Sequence, residues 1–159
     1  MTKTKTGGCQ CGAVRFKVEG ALGDASVCHC RMCQKAMGNF YAPLVSIKDG
    51  SLTWTRGAPS WFQSSNFARR GFCAICGTPL AYDAPDGVAL AIGAFDDPSD
   101  IAPRIQWGVE GKLPYVDHLH ALPGARTEED MKDAPFLAEL VSFQHPNHDT
   151  AEWPVKEKK

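Results

Sequence analysis

The chain has 159 residues, 43% of them hydrophobic, with a formal net charge of −1. That apolar content suffices for one modest domain. The charge gives no basic stripe for a phosphate backbone, since the only basic run is Lys156, Lys158 and Lys159. No apolar run approaches the roughly 18 residues that cross a bilayer, and Met1 to Thr6 carries no apolar export segment. A soluble cytoplasmic protein without nucleic-acid or membrane partners is expected.

From residue 14 to 18 apolar Val14, Phe16 and Val18 alternate with Arg15 and Lys17, the period of a half-buried strand. Similar β-rich pieces are predicted at 25–30, 39–47, 51–56, 61–65, 68–72, 78–82, 88–94 and 105–109. Hairpin-like turns are expected at Lys48 to Gly50, at Arg56 to Pro59 and at Ala84 to Gly87. Helix formers between Arg31 and Met37, with Gly38 behind them, predict one short helix. After Gly124 the composition changes. Thr127 to Asp130, and Pro135 opening residues 136–143, read as one or two short helices. The last dozen residues are polar and proline-broken, which predicts a loose tail. The expected class is mainly β with a short C-terminal helical extension.

Seven cysteines fall into three tight groups: Cys9 with Cys11, then Cys28, Cys30 and Cys33, then Cys73 with Cys76. Closely spaced thiolates converge on one ion with little loop entropy to lose. Cys9, Cys11, Cys73 and Cys76 can close a four-thiolate structural zinc site, leaving Cys28, Cys30 and Cys33 as three ligands to a second zinc with an open position. An odd cysteine count and the lack of an N-x-Ser/Thr acceptor argue against a disulfide framework. A version with one structural zinc and three spare thiols explains the second group poorly. If residues 25–30 form a strand, Cys28 and Cys30 share a face and His29 points away, a hydrogen-bonded neighbour rather than a ligand. Gly77 supplies the tight turn of a zinc knuckle at the tip of a hairpin from Arg70 to Leu80.

Three stretches carry a family resemblance: Gly7 to Phe16, Cys28 to Cys33 followed by Gly38, and Phe72 to Leu80. Ile92 to Pro98, Pro103, residues 105–117 and Leu122-Pro123 extend it. The chain resembles the glutathione-dependent formaldehyde-activating enzyme (GFA) family, also called the CENP-V/GFA domain. The resemblance implies an Mss4-like β-tent fold of small antiparallel sheets with zinc knuckles over residues 6–125; residues 126–159, which find no clear counterpart in the family, read from composition as a C-terminal extension, partly helical and then frayed. It implies a structural zinc on Cys9, Cys11, Cys73 and Cys76 and a catalytic zinc on Cys28, Cys30 and Cys33. The implied activity is that of a carbon–sulfur lyase or synthase joining glutathione to formaldehyde as S-(hydroxymethyl)glutathione. The chain departs from the family at Tyr115, where a tryptophan is usual.

A thiol entering an open zinc position is deprotonated by the ion, and three protein thiolates favour soft sulfur chemistry over polarising water. The matching proton donor is not fixed by sequence: His29, Tyr41, Asp96 and Tyr115 qualify by type alone. Arg31, Lys35, Arg56, Arg69 and Arg70 could clamp the carboxylates of glutathione. His118 and His120 would share one face of a strand, without a third ligand beside them. Two other readings of the cysteines stay open, a non-catalytic zinc scaffold for a protein partner and a thiol redox or metal-buffering protein. The oligomeric state is not legible.

Overall fold

The computed structural model describes residues 4–47, 51–130 and 133–154. Chain order begins with β1 (Thr4–Gly8), β2 (Arg15–Glu19), β3 (Ala25–Cys28), helix α1 (Arg31–Met37), β4 (Ala42–Ser46) and β5 (Ser51–Arg56). It continues with β6 (Ser60–Gln63), β7 (Arg69–Phe72), β8 (Pro79–Ala84), β9 (Gly87–Ala91), β10 (Ile105–Trp107) and helix α2 (Thr127–Asp130). Short 3-10 turns cover Ile92–Ala94, Val109–Gly111, Val116–Ala121 and Pro135–Glu139.

The strands form two sheets, one of three in the order β1-β2-β5 and one of seven in the order β10-β3-β4-β9-β8-β7-β6. The predicted mainly β class therefore stands. Every pairing is antiparallel but one, β10 running parallel to β3. Alternation in β2 sends Phe16 and Val18 inward, both essentially without exposure. Phe16 meets Trp54 of β5 and Phe95 edge-on at centroid distances of 5.9 and 5.1 Å, within the range that rewards aromatic pairs beyond their area. The same apolar cluster takes Val45, Leu80 and Leu90 from the larger sheet, so the two sheets share one core.

Several expectations need correction. The turn at Arg56 to Pro59 is not a hairpin, because β5 and β6 lie in different sheets and the chain crosses between them there. The turn expected at Lys48 to Gly50 lies outside the described residues. The strand expected over 25–30 stops at Cys28, and β1, too polar to be read from its own sequence, exists through its register with β2. His118 and His120 fall in the 3-10 turn Val116–Ala121, so they do not share a strand face. The helix Arg31–Met37 and its left-handed Gly38 cap match the reading, as does the Ala84 to Gly87 hairpin.

Where composition reads a loose tail, residues 144–153 return to the body of the protein. The His145 backbone N–H donates to Gln10 O at 2.8 Å, and Trp153 Nε1 donates to Cys11 O at 2.6 Å. Arg56 reaches Gly12 O at 3.1 Å and also bonds the Thr150 carbonyl. Arg15, almost fully buried, bridges two carboxylates: its terminal nitrogens hold Asp96 at 2.8 and 2.6 Å, and Nε holds Asp149 at 2.9 Å. Gly12 has φ +79, and a Cβ there would lie 2.1 Å from the His145 ring, so only glycine admits this strap.

Asp96 is held below the usual carboxylate range, burial being outweighed by hydrogen bonds from Arg15 and Thr6. Burial, together with the charges of Arg15 and Arg56, holds His145 below its ordinary value of 6.5. The unfolded chain therefore binds a proton at position 145 more readily than the folded one, and stability is expected to decline as pH drops below about 6.5. The Asp96 contribution is complete above the ordinary carboxylate value and disappears at lower pH, as its depressed folded value is crossed. Urea unfolding should show a midpoint lower at pH 5.5 than at 7.5, with His145→Gln reducing that difference. Asp96→Ala should cost about 3 kcal/mol at pH 7.5, the usual effect of breaking a buried ion pair.

Candidate metal centre

The first cysteine pair sits in the turn after β1, where Cys9 N–H donates to Val14 O at 2.9 Å and Gly12 N–H donates to Cys9 O at 3.0 Å. The second sits between β7 and β8, where Gly77, at φ +77, donates its N–H to Cys73 O at 2.9 Å and closes the knuckle. Gln10 N–H donating to Thr78 Oγ1 at 3.0 Å ties one turn to the other. The sulfurs of Cys9, Cys11, Cys73 and Cys76 all lie within 4.8 Å of one another. Cys9 to Cys11 is 3.6 Å and Cys11 to Cys73 is 3.9 Å. A tetrahedral zinc with bonds of about 2.3 Å sets its sulfurs roughly 3.8 Å apart, so the spacing fits the ion.

Backbone donors converge on these sulfurs, Val14 N–H on Cys9 at 3.2 Å and Ile75 N–H on Cys73 at 3.4 Å. The thiols resist ionising together. Burial, with Cys76 and Cys9 adjoining, pushes Cys11 up to about 12. Burial also raises Cys76, but hydrogen bonds from Thr78 and Cys11 outweigh it and bring that thiol to about 6. Four thiolates in mutual contact need a cation among them.

The second group is built from a strand end and a helix start. Cys28 closes β3, Cys30 occupies the position before α1 with φ −61 and ψ 151, and Cys33 is buried within α1. Their sulfurs also lie within 4.8 Å of one another, without a fourth Cys, His, Asp or Glu among the described residues. The scaffold is a buried glutamine that sequence reading missed. Gln34 Nε2 donates to His29 O at 2.6 Å and to Gly111 O at 2.9 Å, while its Oε1 accepts from Arg31 at 3.0 Å. Gly108 and Gly111 press so close to Cys30 and His29 that a Cβ would stand 2.9 Å away. Burial, with Cys33 next to it, pushes Cys28 up to about 12. Cys30 is lowered, since hydrogen bonds from the Cys33 N–H and from the neighbouring thiols overcome its burial.

The other candidate residues divide clearly. His29 is buried, with Nε2 3.0 Å from Gln106 Oε1 and its N–H donating to Trp107 O at 2.8 Å. Its ring meets Tyr41 edge-on at 5.6 Å. Asp96 belongs to Arg15 on the side of the four-sulfur group. Tyr115 is half exposed and packs edge-on against Phe40 at 5.4 Å. Among the five basic candidates, Arg56 serves the strap, Arg69 pairs with Asp83 at 2.7 Å, Arg31 holds Gln34 and Lys35 is exposed. Only Arg70 touches the three-sulfur group, Nη2 donating to Cys33 Sγ at 3.3 Å. Arg70 was among the five basic residues named from sequence, but nothing in local spacing marks Cys33, 37 positions away, as its partner.

A family model described as "Glutathione-dependent formaldehyde-activating enzyme" matches residues 4–110, a stretch that contains all seven cysteines. Among solved structures, the chain is similar to a Rhodobacter sphaeroides protein determined as a structural-genomics target, at 22% identity and a TM-score of 0.47. That likeness covers 64% of this chain and 98% of the other. No curated relative matches the chain. Among the described residues, no helix is long and apolar enough to cross a membrane.

Gln34→Ala would strand the carbonyls of His29 and Gly111 and remove the brace behind Cys28, Cys30 and Cys33. The expected cost is about 2 kcal/mol, with faster amide exchange confined to residues 28–34 and 108–112 in hydrogen-exchange mass spectrometry. Unchanged exchange there would show that the turn holds itself.

Proposed function

Because the chain belongs to the glutathione-dependent formaldehyde-activating enzyme family, we propose that it is a zinc-dependent carbon–sulfur lyase or synthase acting on the adduct of a small thiol with an aldehyde. Glutathione and formaldehyde are the proposed pair. In the forward direction a thiolate adds to the aldehyde carbon, the C–S bond forms and the carbonyl oxygen takes up a proton; the reverse breaks that bond. The observation that carries the reading is the division of seven sulfurs into a closed group of four and an open group of three. In this reading residues 6–125 form the zinc domain and 126–159 its extension, and the protein works in a reducing cytoplasm.

The proposed ligands of the structural zinc are Cys9, Cys11, Cys73 and Cys76, and those of the catalytic zinc are Cys28, Cys30 and Cys33. Zinc on three thiolates keeps one position for an exogenous ligand and lowers the proton affinity of a thiol placed there. The protein's own groups do the positioning. Gln34 fixes the turn that carries Cys28 and Cys30, so the sulfurs stay convergent when no substrate is present. Arg70 sets a positive charge against Cys33, offsetting part of the negative charge that three thiolates gather.

The reading is tested by metal content and thiol binding together. Zinc measured by emission spectrometry should amount to two ions per chain, and Cys30→Ser should lose one of them along with glutathione binding. X-ray absorption should show sulfur coordination rising when glutathione is added to the wild type and staying constant in the variant. A Cys30→Ser protein that keeps both ions and still binds the thiol would defeat the proposal, and two fully four-coordinate metals would point instead to a scaffold.

A further inference from the structure

A hollow of about 330 Å³ is lined in part by Arg70, the side chain that bonds Cys33 of the three-sulfur group. One wall is the end of α1, where Ala36 and Met37 stand one turn beyond Cys33. The facing wall comes from β7 and β8, with Phe72, Pro79 and Ala81. Its lining is apolar apart from one charged side chain, Arg70. This volume sits at the small end of the range for small-molecule sites, which pair apolar walls with a few placed polar groups. It is far larger than a one-carbon aldehyde requires.

Arg70 is only 8% exposed and its guanidinium is fixed on several sides. Nε donates to Ser64 Oγ at 3.1 Å, Nη2 to Cys33 Sγ at 3.3 Å, and the group lies over the Tyr82 ring at 5.2 Å. Nη1 makes no hydrogen bond at all, although it is sealed from solvent. A buried donor on a cation left without an acceptor is costly, because it has given up water without gaining a partner. No carboxylate pairs with Arg70 among the described residues, unlike Arg15, which has two. Directly opposite Arg70 in β6 stands Phe62, 64% exposed and so weakly held. Both side chains line the hollow, and Nη1 is covered in this structure, so a ligand reaches it only after a neighbour such as the exposed Phe62 ring shifts.

We propose that this hollow is a carboxylate subsite, with Arg70 as its anchor, so that a thiol substrate places its sulfur at Cys28, Cys30 and Cys33 and its carboxylate on Nη1. The inference rests on the function proposed above and assigns Arg70 and this hollow as the place where the carboxylate end of the thiol is held. A guanidinium already committed through Nη2 to the sulfur group measures the distance between the two ends of such a molecule. The planar fork suits a carboxylate better than a lysine would, and the apolar walls suit the chain joining carboxylate to thiol. Neutral thiols of the same size lack the partner that Nη1 needs.

The test compares glutathione with its dimethyl ester, the same thiol with both carboxylates masked, by titration calorimetry on the zinc-loaded full chain. Wild type should bind glutathione at least tenfold more tightly than the ester. Arg70→Gln should bring that ratio near one while binding of the ester and the zinc content persist, a pattern that general loss of structure would not give. Phe62→Glu, at a ring that lines the hollow, sets a protein carboxylate against Arg70; it should weaken glutathione about tenfold relative to the ester, whereas Phe62→Gln, which removes the same ring without adding a charge, should keep the wild-type ratio. Equal affinities in wild type, or a ratio that survives both Arg70→Gln and Phe62→Glu, would overturn the subsite while leaving the thiol chemistry standing. If neither compound binds wild type, the subsite and the proposed function fail together.

Discussion

Convergence of two turns on one cluster of sulfurs is the constraint from which the rest of the molecule follows. Cys11 and Cys73 are 62 positions apart in the chain yet 3.9 Å apart in space. One turn belongs to the three-stranded sheet and the other to the seven-stranded sheet, so the cluster joins the two sheets where their strands end. Closing so long a loop is entropically unfavourable. In the proposed reading a zinc ion supplies the compensating free energy, as metal binding does in small domains whose apolar core is modest.

The buried ion pairs and the C-terminal strap gather on that same turn. Arg15 leaves the turn after β1 and meets Asp96 from beyond β9 and Asp149 from the strap. Arg56, at the end of β5, bonds the carbonyl of Gly12 and that of Thr150. The indole of Trp153 then takes the carbonyl of Cys11 itself. Carbonyls of a tight metal-binding turn point outward and cannot find partners in a sheet, so they need donors from elsewhere. The strap supplies those donors.

The cysteine groups were legible because thiolate chemistry demands short spacing, and spacing is written directly in the sequence. The helix Arg31–Met37 was legible through its formers and its glycine cap, and β2 through its alternation. β1 was not, because Lys5 and Thr6 carry little apolar signal and the strand owes its existence to partners seven to fifteen positions away. Alternation also misled at Cys30. The period continues through that residue, but Trp107 O captures the His29 N–H and Gln34 captures the His29 carbonyl, which turns the chain out of β3 and into α1. Such captures come from residues 78 and 5 positions distant and leave no mark on local pattern.

Charge explains why two groups built from the same ligand type would behave differently. Four thiolates around a divalent ion carry a formal charge of −2, and the sulfurs of the first group receive backbone N–H donors from Val14 and Ile75. With the second zinc proposed above, three thiolates would leave −1, and Arg70, which stands against one of them at 3.3 Å, would bring the assembly to neutrality. A neutral assembly admits an anionic thiolate with far less repulsion than one already negative, because in a partly buried site each unbalanced charge at 4 Å is worth about 4 kcal/mol. The same arginine lines the neighbouring hollow and has one nitrogen without a hydrogen-bond partner among the described residues. In the proposed reading, the cation that makes room for the incoming sulfur is also the group that chooses which molecule brings it.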